Sequence, residues 1–222
     1  ASFVRVDLAS GATTRPWPSL PSDAGDAALS ASEDALFVTF PLTGVLERID
    51  AGTGGLLDSF SGLNAPRGLA LNAAESRAYI VENFSGGGLA RVNLLTGVVT
   101  RLAYGFPDPR RVAIDGSETY GYLTDRSFGS LSRIDLRTGA VSTVVGGLSG
   151  PAGVVLDAAE TTAYVAENLS GEVSAVVLAS GVVSVIASGL DQPSGLDLDQ
   201  TGSGLYVTEI TERSWLKNLR IH

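Results

Sequence analysis

An internal period of 42–43 residues constrains this chain more than any other feature. A Ser/Thr-Gly pair recurs at Ser10-Gly11, Thr53-Gly54, Thr96-Gly97, Thr138-Gly139 and Ser180-Gly181, with successive glycines 43, 43, 42 and 42 apart. Upstream of four of these stand Arg5-Val6-Asp7, Arg48-Ile49-Asp50, Arg91-Val92-Asn93 and Arg133-Ile134-Asp135, with Ala175-Val176-Val177 as the deviant copy. A second marker is Pro66, Pro109, Pro151 and Pro193, with Ala24 in that phase in the first copy. The third is an aromatic-led stretch: Phe37-Val38-Thr39, Tyr79-Ile80-Val81, Tyr122-Leu123-Thr124, Tyr164-Val165-Ala166 and Tyr206-Val207-Thr208. Three markers in one phase mean that one supersecondary unit is used repeatedly.

Each copy reads as four short strands. An inner strand such as Gly68-Leu69-Ala70-Leu71 follows the Pro, and Asn72-Ala73-Ala74-Glu75 turns the chain. The Tyr79 strand comes next, apolar on both faces as in a sheet packed on two sides. A further connection leads to Leu89-Ala90-Arg91-Val92-Asn93, and the Asn93–Gly97 hairpin leads to Val98-Val99-Thr100. In that hairpin the Asp or Asn side chain accepts backbone hydrogen bonds, and Gly supplies the positive-φ position of a three-residue turn with a bulge. Short strands at a period of about 40–50 residues indicate a β-propeller. The expected fold is therefore all-β, a β-propeller of four-stranded blades, one domain over residues 1–222 with five sequence repeats of 42–43 residues. Arg5-Val6-Asp7 and Arg220-Ile221-His222 share a phase 215 residues apart. The two termini are thus expected to meet in one composite blade, which pairs edges that would otherwise stay open. One third strand is then left over, so a six-bladed ring is the alternative if the chain is truncated, and the absence of Met is read as the mark of a processed or excised product.

Composition removes several function classes. With 15 Lys+Arg against 24 Asp+Glu, the formal net charge is −9, the wrong sign for a nucleic-acid partner. At 44% hydrophobic the chain can bury a core. No Cys is present, which removes disulfides and thiolate chemistry, and the single His is the last residue, His222. The stretch Val173 to Leu190 carries no charge and is long enough for a membrane span. The break at Ala179-Ser180-Gly181 and the richness in Val instead suit two strands and a turn, so no membrane insertion is expected.

Gly150-Pro151-Ala152-Gly153-Val154-Val155-Leu156-Asp157, followed by Ala163-Tyr164-Val165-Ala166-Glu167-Asn168, resembles the NHL and YVTN propeller repeats. Tyr122-Leu123-Thr124-Asp125 with downstream Pro151-Ala152-Gly153 resembles the YWTD repeat of lipoprotein-receptor propellers. The resemblance, within the SMP-30-like superfamily, implies a propeller, commonly extracytoplasmic and most often a binding or scaffolding module. WD40 repeats match poorly, since neither Trp17 nor Trp215 precedes an Asp. The SMP-30/gluconolactonase lactonases, which the repeat also resembles, hold a divalent metal partly through Asn or Asp directly after the strand-opening residue. The matching positions here are Gly25, Arg67, Arg110, Ala152 and Ser194.

Two rows of side chains are the candidate site. Glu82, Asp125, Glu167 and Glu209 end the second strand of four copies, with Phe40 in the first, and Asn83 and Asn168 follow two of them. They are read either as an acidic ring able to hold Ca²⁺ or another divalent cation through oxygen ligands, or as repeated caps that accept backbone hydrogen bonds. Equivalent groups in sheets about 10 Å apart are too far from each other to share one ion, which favours the caps. Arg67 and Arg110 open the innermost strand of adjacent copies, with Arg111 in place of a Gly. They suit either an anionic ligand or ion pairs with Glu82 and Asp125. The Val173–Val185 region, where Ala175 interrupts the Arg pattern, is a candidate for self-association or for a better-buried blade.

The function that follows is a non-enzymatic binding or scaffold propeller recognising a protein, peptide or glycan on the face carrying both rows, with no cofactor. A metal-dependent lactone or ester hydrolase, using metal-bound water as nucleophile, is one alternative. A purely structural module of a larger or self-assembling protein is the other.

Overall fold

The computed structural model describes residues 5–6, 13–14, 23–199, 201–210 and 216–220. Every regular element among them is a strand. β1 (Arg5–Val6) pairs with β2 (Thr13–Thr14). The first full sheet is β3 (Ala27–Leu29), β4 (Ala35–Phe40), β5 (Val45–Asp50) and β6 (Leu56–Phe60). The second is β7 (Pro66–Leu71), β8 (Arg77–Glu82), β9 (Gly88–Asn93) and β10 (Val99–Tyr104). The third is β11 (Pro109–Ile114), β12 (Tyr120–Asp125), β13 (Ser130–Asp135) and β14 (Val141–Val145). The fourth is β15 (Pro151–Leu156), β16 (Thr162–Glu167), β17 (Glu172–Val177) and β18 (Val183–Ala187). The fifth is β19 (Pro193–Leu198), β20 (Gly204–Glu209) and β21 (Leu216–Arg220). Each sheet is an antiparallel meander in chain order. The expected composite blade draws on residues 1–22 and 211–222, most of which lie outside the described residues.

The chain divides into two compact units, Ala1–Glu82 with Ala90–Thr100, and Asn83–Leu89 with Arg101–His222. In each unit the first strands of successive sheets are neighbours: β3 beside β7 in one, and β11, β15 and β19 in the other. The second strands are largely buried, β12 and β16 along nearly their whole length; β16 belongs to the fourth sheet, which the third and fifth sheets flank, as in a strand packed on two sides. In the first unit Phe37, Leu46, Ile80 and Val92 close one core. In the second, Tyr122, Leu131, Val165 and Val176 close another, and Val173, Leu205 and Val207 join the fourth sheet to the fifth. Each such side chain contributes about 1.5–3 kcal/mol by leaving water.

Turn chemistry matches the residue types, with one change of geometry. Asp50 Oδ1 accepts from the N–H of Gly52 at 3.0 Å and Thr53 at 2.6 Å, and Asp135 Oδ1 accepts from Arg137 at 3.0 Å and Thr138 at 2.7 Å. The loop, however, holds four residues and not three. Gly54 donates to Asp50 O and Asp50 donates to Gly55 O, which leaves residues 51–54 between the closing pair, with Gly54 left-handed at φ 74°. The turn between the first and second strands places Glu33, Glu75, Glu118 and Glu160 at positive φ, a conformation disfavoured for L-residues with a side chain. Two of these carboxylates reach the turn of the preceding sheet: Glu75 accepts from the Ala31 N–H, and Glu160 from the Gly116 N–H at 2.5 Å.

Candidate functional site

The candidate residues collect at the end of each sheet where the second strand finishes and the first begins. A bulge follows the opening Pro of β7, β11, β15 and β19, and it re-aims the residues that carry Arg67, Arg110 and Arg111. Arg67 is exposed, while Arg110 and Arg111 are half-buried.

The acidic row is buried and engaged. Glu82, Asp125, Glu167 and Glu209 are all buried, and each accepts from the backbone of the connection entering its own sheet. The donors are the N–H of Asn64 to Glu82 at 2.7 Å, Ser149 to Glu167 at 2.6 Å and Asp191 to Glu209 at 2.7 Å. The other Glu167 oxygen accepts the Ser174 hydroxyl at 2.5 Å. The third sheet departs from this in a way its residues explain. Pro107 stands where the others have a donor, and the acid is one carbon shorter. Asp125 accepts instead from the Asp108 N–H at 3.1 Å and the Phe128 N–H at 2.8 Å.

The same connections are held from the other side. In the fourth sheet Gly171 is left-handed at φ 71°, and its carbonyl accepts the Leu190 N–H at 2.9 Å. Gly129 accepts from Leu148 and Gly44 from Leu63 in the same way. Adjacent N–H groups, Leu190 and Asp191, therefore bind the connection to two successive sheets. Asn168 adds a bond from Nδ2 to Pro193 O at 3.4 Å. Asn83 Nδ2 likewise donates to Asp108 Oδ1 at 2.9 Å and to Pro109 O at 3.5 Å. Both Asn residues act as clips between sheets.

Arg110 pairs with Asp108 through Nη2 at 2.8 Å, and not with Asp125, the partner suggested by spacing. Among the described residues, no group of three or more His, Cys, Asp or Glu is placed to hold a metal ion. Among the same residues no helix is long and apolar enough to cross a membrane.

What spacing did not single out is a set of apolar side chains in the connection after the second strand. Phe128 is 61% exposed, Leu169 65% and Ile210 57%, with Leu42 at 85% in the first sheet. The signal was available: each lies one to three residues past the strand end, where a turn needs no large hydrophobe.

No family model matches the sequence, and no curated protein does. Solved structures do. The nidogen/laminin complex matches at a TM-score of 0.83 and 16% identity, over 98% of this chain and 86% of that one. The calcium-binding protein regucalcin from Agrobacterium tumefaciens matches at 0.79 and 19%, over 98% and 82%. The β-propeller domain of a Myceliophteria thermophila protein matches at 0.67 and 12%, over 86% and 63%. The fold is that of a β-propeller. The sheets are its blades, and at these identities the likeness extends to fold alone.

Proposed function

We propose that this propeller is a non-catalytic binding module whose second unit takes an acidic, partly apolar protein segment on the end carrying Phe128, Leu169, Ile210, Arg110, Arg111 and Arg126. The observation that carries the reading is an exposed large hydrophobe, Phe128, Leu169 or Ile210, in the connection after the second strand of each of three successive blades. Large exposed hydrophobes gathered on one surface mark contact sites. Charge supports the choice of partner. Asp125, Glu167 and Glu209 are buried in hydrogen bonds to the backbone, whereas Arg110, Arg111 and Arg126 are half-exposed at the same end, Arg110 beside its ion-pair partner Asp108. An Arg beside an exposed aromatic is the composition enriched where binding energy concentrates. A likeness to a structure of a protein–protein complex accords with this reading. The hydrolase alternative draws no support from the positions directly after the strand openers, which hold Gly25, Arg67, Arg110, Ala152 and Ser194.

The probe is a phage-displayed random peptide library selected on the full chain, with the recovered peptides synthesised and titrated by fluorescence anisotropy. Peptides combining Asp or Glu with an aromatic or aliphatic residue are expected. Phe128→Ser with Leu169→Ser, and separately Arg110→Ala, should each weaken their binding by about tenfold or more. Selected peptides that bind both variants as tightly as the parent chain overturn the proposal.

A further inference from the structure

We propose that β18, the outer strand of the fourth blade, pairs antiparallel with the same strand of a second copy of this chain. The inference stands apart from the peptide-binding face and uses a different edge of the molecule. β18 is last in the order β15-β16-β17-β18, so its outward edge offers N–H and C=O groups to a further strand.

All complete blades end in such a strand, and the charge carried by the two outer strands together separates this one from the rest. β5 and β6 carry Glu47, Arg48, Asp50 and Asp58; β9 and β10 carry Arg91 and Arg101; β13 and β14 carry Arg133 and Asp135. β17 and β18 carry Glu172 alone, at the first residue of β17, and Ala175 stands where the other third strands have Arg. Charged side chains on and beside edge strands keep sheets from joining. β14 is uncharged as well, but Arg133 and Asp135 stand on β13 beside it, with Arg133 opposite Ser142, whereas β18 has Ala175 opposite Ser184.

Burial divides the valines into two sets. Val173 and Val176 are buried in the core, whereas Val177 is 41% exposed, Val182 57%, Val183 38% and Val185 54%. The core therefore accounts for only two of the six. Exposed β-branched residues in an unbroken, Pro-free strand favour pairing with another strand.

Charge also selects the occupant. A chain of net charge −9 repels its own copies, least where a surface is uncharged. Residues 173–190 contain no Asp, Glu, Lys or Arg, so β18 and the part of β17 beside it bring no charge of their own to a contact between two copies. A strand set antiparallel to itself is self-complementary about a two-fold axis, and such an interface closes at two chains instead of growing into a filament.

The experiment is sedimentation velocity of the full chain from micromolar to near-millimolar concentration. The parent chain is expected to pass from monomer to dimer. Val185→Lys should raise the apparent dissociation constant by more than about tenfold, while Val141→Lys on β14 should leave it unchanged. A second measurement does not depend on how the lysine is tolerated. The chain contains no cysteine, so Ser184→Cys should give a disulfide-linked dimer on mild oxidation, and Ser142→Cys on β14 should stay monomeric. A parent chain that is monomeric at every concentration overturns the proposal. So does a Val185→Lys dimer of unchanged affinity, or cross-linking of Ser184→Cys no faster than of Ser142→Cys.

Discussion

Two glycines with nearly the same backbone separate conformational freedom from close approach. Gly171 has φ 71° and Gly189 φ 74°. A Cβ at Gly189 meets nothing within 4 Å, whereas one at Gly171 collides with the Leu190 carbonyl. Gly189→Ala should therefore cost about 1 kcal/mol, the left-handed penalty alone. Gly171→Ala should cost at least twice that, because relieving the collision also strains the Leu190-to-Gly171 hydrogen bond. Urea unfolding of the two variants checks the difference, and equal losses would show that backbone conformation alone requires Gly171. The glutamates at positive φ follow a related logic. Glu75 and Glu160 hold a strained conformation while their carboxylates tie the preceding turn, and Gly202 takes that position in the fifth blade without strain.

Among the elements, the hairpin between third and fourth strands shows what a short motif can reveal. The Thr53 N–H, followed by the Thr53 hydroxyl, holds the Asp50 carboxyl below the usual carboxylate range, and the Thr138 N–H does the same for Asp135. A depressed folded-state pKa adds stability that is fully present above the unfolded value of about 3.9 and is lost as pH falls through the folded one. Asn93 serves the same turn without titrating, accepting from the N–H groups of Leu95 and Thr96. Asp50→Asn with Asp135→Asn should thus lower Tm less than the parent chain does between pH 5 and strong acid. Parallel Tm curves through that window would mean that the turns do not sense protonation. These hairpins were legible because their hydrogen bonds join residues within five positions. The second strands were legible because their burial leaves a mostly apolar, aromatic-led run ahead of the acid that ends four of them. The acidic row was visible as a row, but its role depends on donors such as Ser149 and Asp191, each 18 residues from its acceptor, and no local pattern marks those pairs. Phe128 and Leu169 escaped notice because a lone hydrophobe in a turn resembles ordinary surface until its exposure is known.

At the scale of the whole molecule, charge sets the two proposed surfaces in opposition. The face bearing Arg110, Arg111 and Arg126 draws an acidic segment by Coulomb attraction, which salt screens over a Debye length of about 10 Å at 0.1 M. The β18 edge is uncharged within a chain of net charge −9. Its pairing is opposed by the general repulsion between copies, and salt weakens that repulsion. Raising ionic strength from tens of millimolar to about 0.5 M should therefore weaken peptide binding and strengthen dimerisation in the same preparation. Anisotropy and sedimentation velocity, run in matched buffers, read the two effects separately. If both associations shift in the same direction with salt, one of the two surfaces has been assigned the wrong physical basis. The single-surface variants then identify it: Arg110→Ala should flatten the salt dependence of peptide binding and leave the dimer untouched, and Val185→Lys should do the reverse.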